Sequence, residues 1–205
     1  HISMYPNVQS LARGWYFSQV AHLDPRTRMW PWPDSLIGYQ VAWIVAHEVG
    51  HTLGLQHDQK GSSTYPIDSL RSRTWLKKMG HSPSIMDYSR NNYLVQPEDK
   101  VDLADVSPRI GPYDKYIIHW GYAPIPGAKT SDQEWTTLDK WSREQDATPW
   151  YRFNMSDSRG ADPGDHSEAV GDADAVKPTR WGMKSMTNHA EHPAPTRRHG
   201  CQCWR

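Results

Sequence analysis

The chain has 205 residues, 23 basic and 23 acidic side chains and a formal net charge of zero. That length suits one domain with a tail, and the balanced charge points to neither nucleic acid nor an anionic membrane surface as a partner. Apolar residues make up 37% of the chain; no run approaches the roughly 20 residues of a membrane span, and the opening "HISMYPNVQS" lacks the basic start and apolar centre of a secretory signal.

The first predicted element is helical. Val8, Leu11, Trp15, Tyr16, Val20 and Leu23 recur at spacings that suit one helix face, and Pro25 closes the segment. "RMWPWPD" is broken by Pro31 and Pro33. Asp34 or Ser35 then offers an N-cap for a second helix running to about Leu53 and stopping at Gly54. Its apolar positions (Leu36, Ile37, Val41, Ala42, Trp43, Ile44, Val45) are wide enough to predict burial on most sides. "KGSSTYPIDS" reads as loop, and "SLRSRTWLKKMG" as a short helix that Gly80 ends. "HSPSIMDYSRNNY" is turn-rich, and a further helix is expected from about Pro112 to Trp120. After Tyr122 order is expected to weaken. "PIPGAKTSDQEW" reads as a linker and "TTLDKWSREQDATPWYRF" as one more short helix.

The remainder, 156–205, reads as a disordered or artefactual tail. Its acidic part carries Asp157, Asp162, Asp165, Asp172 and Asp174. These are oxygen ligands hard enough for calcium, but their spacing does not fit an EF-hand, and a solvated acidic loop is the better reading. Cys201 and Cys203 are separated by one intervening residue, poor geometry for a mutual disulfide, and no second pair completes a zinc ribbon. His119, His189, His192 and His199 lie on a closing helix or in the tail and are not read as ligands.

The chemistry concentrates in "AHEVGHTLGLQHD", residues 46–58. His47 and His51 are four apart and share one helical face, so both imidazoles can reach one ion. Glu48 is rotated by roughly 100° from His47, beside the ion rather than on it, where it can move a proton. A continuing helix would carry His57 away. Gly54 can take a positive φ and let the chain turn sharply, so that His57 approaches the same ion from a loop. Three protein ligands and a base describe a catalytic zinc site, with Zn2+ as cofactor. The pattern H-E-x-x-H-x-x-G-x-x-H fixes five residue types at set spacings and is among the most specific short zinc signatures.

At these residues the sequence resembles the metzincin clan of zinc endopeptidases. "SIMDY", residues 84–88, resembles the methionine turn of that clan, with Met86 as an apolar floor under the imidazoles. S-x-M-x-Y is similar to the astacin and serralysin pattern, which implies that Tyr88 is a candidate fifth zinc ligand and oxyanion donor, the alternative being a tyrosine merely hydrogen-bonded in the turn. Asp58 after His57 resembles instead the adamalysin pattern, in which it anchors the loop. "GPYDKYIIHWGY" is similar to the helix that closes metzincin catalytic domains. Taken together, the sequence most closely resembles the large bacterial extracellular zinc-dependent metalloproteases with a met-zincin domain.

The resemblance implies an α+β metzincin-like catalytic domain. Here it is expected to be mostly helical and irregular, because only 46 residues precede His47 and the upstream sheet of the clan is expected to be truncated. The implied organisation is a catalytic core fragment over 1–125, an extension over 126–155 and the tail. The implied activity is endopeptidase cleavage of a protein or peptide, with Glu48 as general base, Tyr88 on the oxyanion, and His47, His51 and His57 on zinc. Secretion or periplasmic residence is implied on the same ground. An inactive zinc-binding fragment is the alternative.

Overall fold

The computed structural model describes residues 5–155, 170–171, 173–174 and 176–191. Helix α1, Pro6–Val20, begins with proline in its first turn, where the missing N–H has no intrahelical partner to lose. It buries Ala12, Tyr16 and Val20, each four residues from the next. Helix α2, Asp34–Thr52, packs on α1, with Trp15 and Trp43 ring centroids 6.3 Å apart.

Two expectations about α2 are corrected. The N-cap position falls on Pro33 and makes no side-chain bond, so Asp34 is the first helical residue. Its charge still favours the positive end of the helix. Burial is also narrower than the apolar pattern predicted. Ala42, Val49 and Leu53 are exposed, although α1 packs on one side of α2 and the loop bearing Ile85 and Met86 meets another. The stop is as expected: Gly54 has φ +86°.

Short helix α3, Arg73–Met79, is N-capped by Ser72, whose hydroxyl accepts from the Trp75 N–H at 3.4 Å, and ends at Gly80 with φ +74°. Two apolar clusters flank the segment after the methionine turn. Tyr16, Val20, Trp32, Leu36, Leu76, Val95 and Val106 form one. Tyr65, Ile67, Leu70, Leu94 and Val170 form the other. Leu94 and Val95 point into opposite clusters.

Helix α4, Pro112–Tyr122, is followed by α5, Ser131–Ser142, and the single turn α6, Glu144–Ala147. The expected linker is thus shorter than its composition implied. Thr130 starts α5, Asp132 and Glu134 sit in its first turn, and Trp120 Nε1 ties the helix to α4 by donating to the Leu138 carbonyl at 3.2 Å.

Part of the segment read as a disordered tail is a helix, α7, Val176–Ala190. Asp174, read as part of a solvated loop, accepts from the Val176 and Lys177 N–H groups and so caps α7. Trp181 packs on the second cluster beneath the Arg71 guanidinium, whose Cζ lies 3.6 Å from the ring centroid. Ser185 accepts from Gln96 Nε2 at 2.7 Å and donates to the Tyr93 carbonyl at 2.8 Å. Asp157, Asp162, Asp165, Asp172, His192, His199, Cys201 and Cys203 lie outside the described residues. Among the described residues there is no β-strand, and no helix is long and apolar enough to cross a membrane.

Candidate metal centre

One helical turn separates His47 from His51, and their ring centroids lie 4.8 Å apart. The chain then reverses at Gly54. The Leu55 N–H donates to the Gly50 carbonyl at 3.1 Å, closing the turn against the helix it leaves. His57 returns to within 5.3 Å of the His47 ring and 4.7 Å of the His51 ring, centroid to centroid. One potential ligand nitrogen from each of the three lies within 4.8 Å of the other two, so the group could hold a metal ion.

Hydrogen bonds choose the nitrogens. His47 Nδ1 lies 2.7 Å from the Ile85 carbonyl, and His51 Nδ1 lies 2.9 Å from the Leu55 carbonyl. A carbonyl only accepts, so both Nδ1 atoms carry the proton and both Nε2 atoms keep a lone pair for an ion. His51 Nε2 and His57 Nε2 are 3.0 Å apart. Two nitrogens held tetrahedrally at zinc–nitrogen distance are about 3.3 Å apart, so this pair fits zinc with a small outward shift, and the third ring offers a nitrogen within 4.8 Å of both.

The electrostatics agree with that use. Burial lowers the pKa of His47, and its hydrogen bond to Ile85 only partly offsets this. Burial, and then His47 and His51 as neighbours, lower that of His57. Both therefore favour the neutral form that binds a metal. Half-buried Glu48 is close enough to oppose the shift in both rings.

A family model described as Met-zincin matches residues 31–199. The chain belongs to the Met-zincin family. No curated protein and no solved structure matches it.

In this Met-zincin domain Met86 is fully buried, with its side chain against Gly50 of α2. Tyr88 is 37% exposed; its hydroxyl lies 2.7 Å from His57 Nε2 and its ring stacks on His47 at 5.6 Å between centroids. Asp58 is fully buried. Its carboxylate accepts from the Asn154 N–H at 3.2 Å and from the Lys60 N–H, and its own N–H donates to the Met86 carbonyl at 3.2 Å. Burial pushes the Asp58 carboxyl up to about 7. The loop-anchoring geometry expected of Asp58 is therefore present.

Other groups that build the site carry no signal in the sequence. Asp87, almost wholly buried, accepts from Ser62 at 2.8 Å and Ser82 at 3.0 Å, which pins the turn from below. Burial raises its pKa well above the usual carboxylate range, against those two bonds. His81 is buried nearby, and its Nε2 donates to the Arg90 carbonyl at 2.8 Å. Its depth pulls its pKa down to about 4.

Proposed function

We propose that the chain is a zinc endopeptidase domain that hydrolyses peptide bonds in proteins. The carrying observation is the convergence of three imidazoles whose Nδ1–H groups, in two of them, are already committed to carbonyls. Zinc would supply Lewis-acid polarisation of a scissile carbonyl and of an attacking water. His47, His51 and His57 would hold it. Glu48, beside His47 and His57, takes the proton of the attacking water and returns it to the leaving amine. The Tyr88 hydroxyl, directed at the same group of nitrogens, donates to the oxyanion. Secretion or periplasmic residence belongs to the same reading and rests on likeness to bacterial extracellular metalloproteases.

Glu48→Ala tests the mechanism. The variant should bind zinc as the parent does and lose cleavage of casein. Cleavage at the parent rate would sink the role given to Glu48.

A second reading is a zinc-binding domain without activity. It is favoured by the described residues, which include no strand and so offer among themselves no sheet edge to pair with an extended substrate. One zinc per chain by elemental analysis, with no chelator-sensitive proteolysis, would support this reading; chelator-sensitive cleavage would remove it.

A further inference from the structure

We infer that Asp114 is a positioning residue for the metal centre, acting on His47 through Ile85. The inference rests on the zinc reading above. Asp114 sits at the third position of α4 and is 4% exposed. Its Oδ2 accepts from the Gly111 N–H at 2.6 Å and the Ile85 N–H at 2.9 Å, and its Oδ1 accepts from the Ser84 hydroxyl at 2.7 Å. The bond to Gly111 is the ordinary capping arrangement of a helix start. Helix capping does not account for the other two, which reach back across the chain to the methionine turn.

Those two bonds bear on the metal. Both backbone polar groups of Ile85 are engaged: its N–H by the Asp114 carboxylate and its C=O by His47 Nδ1–H at 2.7 Å. The carboxylate holds Ile85 in place, and Ile85 sets the tautomer and ring orientation of His47. Outer partners of this kind commonly govern how well a histidine binds its ion. The neighbouring backbone is equally constrained. The Tyr113 N–H donates to the Pro83 carbonyl at 3.0 Å, and a Cβ on Gly111 would collide with that carbonyl. The start of α4 and residues 83–85 are therefore tied together, and the Asp114 carboxyl group lies at the centre of those bonds. The Ser84 hydroxyl also accepts from the Met86 N–H at 3.0 Å, so the same carboxylate steadies the methionine that packs on α2.

The test is metal affinity, measured on the full chain with cobalt and zinc against a chromophoric chelator. Asp114→Ala should lower affinity by roughly 10- to 100-fold, shift the visible bands of bound cobalt and leave the far-ultraviolet dichroism unchanged. Asp114→Asn should recover part of the loss, since an amide oxygen can still accept from Ile85. The same changes are then made in a His47→Ala background. There they should have no further effect on residual cobalt binding, because the path through His47 is gone. A loss that persists in that background would mean general support of the fold and would overturn the inference. So would parent-like affinity in Asp114→Ala. Should Asp114→Ala fail to fold, Asp114→Asn in the two backgrounds decides by the same comparison. A parent chain that binds neither ion overturns the zinc reading itself, and this inference with it.

Discussion

The side chain of Met86 rests against the bare α-carbon of Gly50, which lies between His47 and His51 on α2. A methyl group on Gly50 would collide with Met86 Sδ and stand 3.3 Å from its Cε. Glycine thus lets the turn approach α2 closely. Gly50→Ala should cost about 1–3 kcal/mol of stability through overpacking, whereas Met86→Leu, nearly equal in volume, should cost less than about 1.5 kcal/mol. Denaturant melts of the two variants check this. Equal stability of Gly50→Ala and the parent would show that Met86 moves aside freely.

Zinc should stabilise the chain by mass action. At a free concentration 100 times the dissociation constant the gain is about 2.7 kcal/mol, and a chelator should reverse it. His51→Ala should lose most of that gain. Thermal melts with and without zinc measure it, and an unchanged melting temperature at saturating zinc would argue against a folded-state metal site.

Tyr88→Phe keeps the ring stacked on His47 and removes only the hydroxyl that lies 2.7 Å from His57 Nε2. If that hydroxyl serves the oxyanion, kcat for a peptide substrate should fall by roughly 100-fold while KM and zinc content stay near parent values. A rise in KM at constant kcat would instead assign Tyr88 to substrate binding.

His81 should make stability depend on pH. Burial holds its folded-state pKa at about 4, below the ordinary histidine value of 6.5. Between those values the unfolded chain binds a proton that the folded chain does not, so stability rises with pH across that window. The contribution is complete above about pH 6.5 and is lost as pH falls towards 4, with a span on the order of 3 kcal/mol. Urea melts from pH 4 to 7.5 should show this slope in the parent and a shallower one in His81→Gln.

Helix α7 should depend on Trp181. Trp181→Ala removes the ring between the second apolar cluster and the Arg71 guanidinium, at a cost of about 2–3 kcal/mol. Amide exchange in α7 should accelerate more than exchange in α2. Uniform acceleration in both helices would mean that α7 and α2 unfold together.

Much of the candidate metal centre was legible in the chain because its logic is local. A four-residue spacing puts His47 and His51 on one face whatever surrounds the helix, and Gly54, at φ +86°, takes the backbone angle that brings His57 back. Gly80 ends α3 for the same reason. The remaining features depend on groups far apart in sequence. A proline followed two residues later by an aspartate marks the start of α4, but nothing in that pattern says that Asp114 reaches Ile85 and, through it, His47. The apolar stripe of α2 predicts a buried helix but does not say which neighbours exist to bury it, and Val49 and Leu53 stay exposed. Helix α7 has a polar composition that reads as disorder; Trp181 and Ser185 order it by meeting Arg71, Tyr93 and Gln96. Spacing and backbone preference act within a few residues, so the sequence alone determined the candidate ligands His47, His51 and His57 and the turn between them. Burial and hydrogen-bond satisfaction are settled across the whole chain, so only the tertiary structure decided what holds those ligands in place.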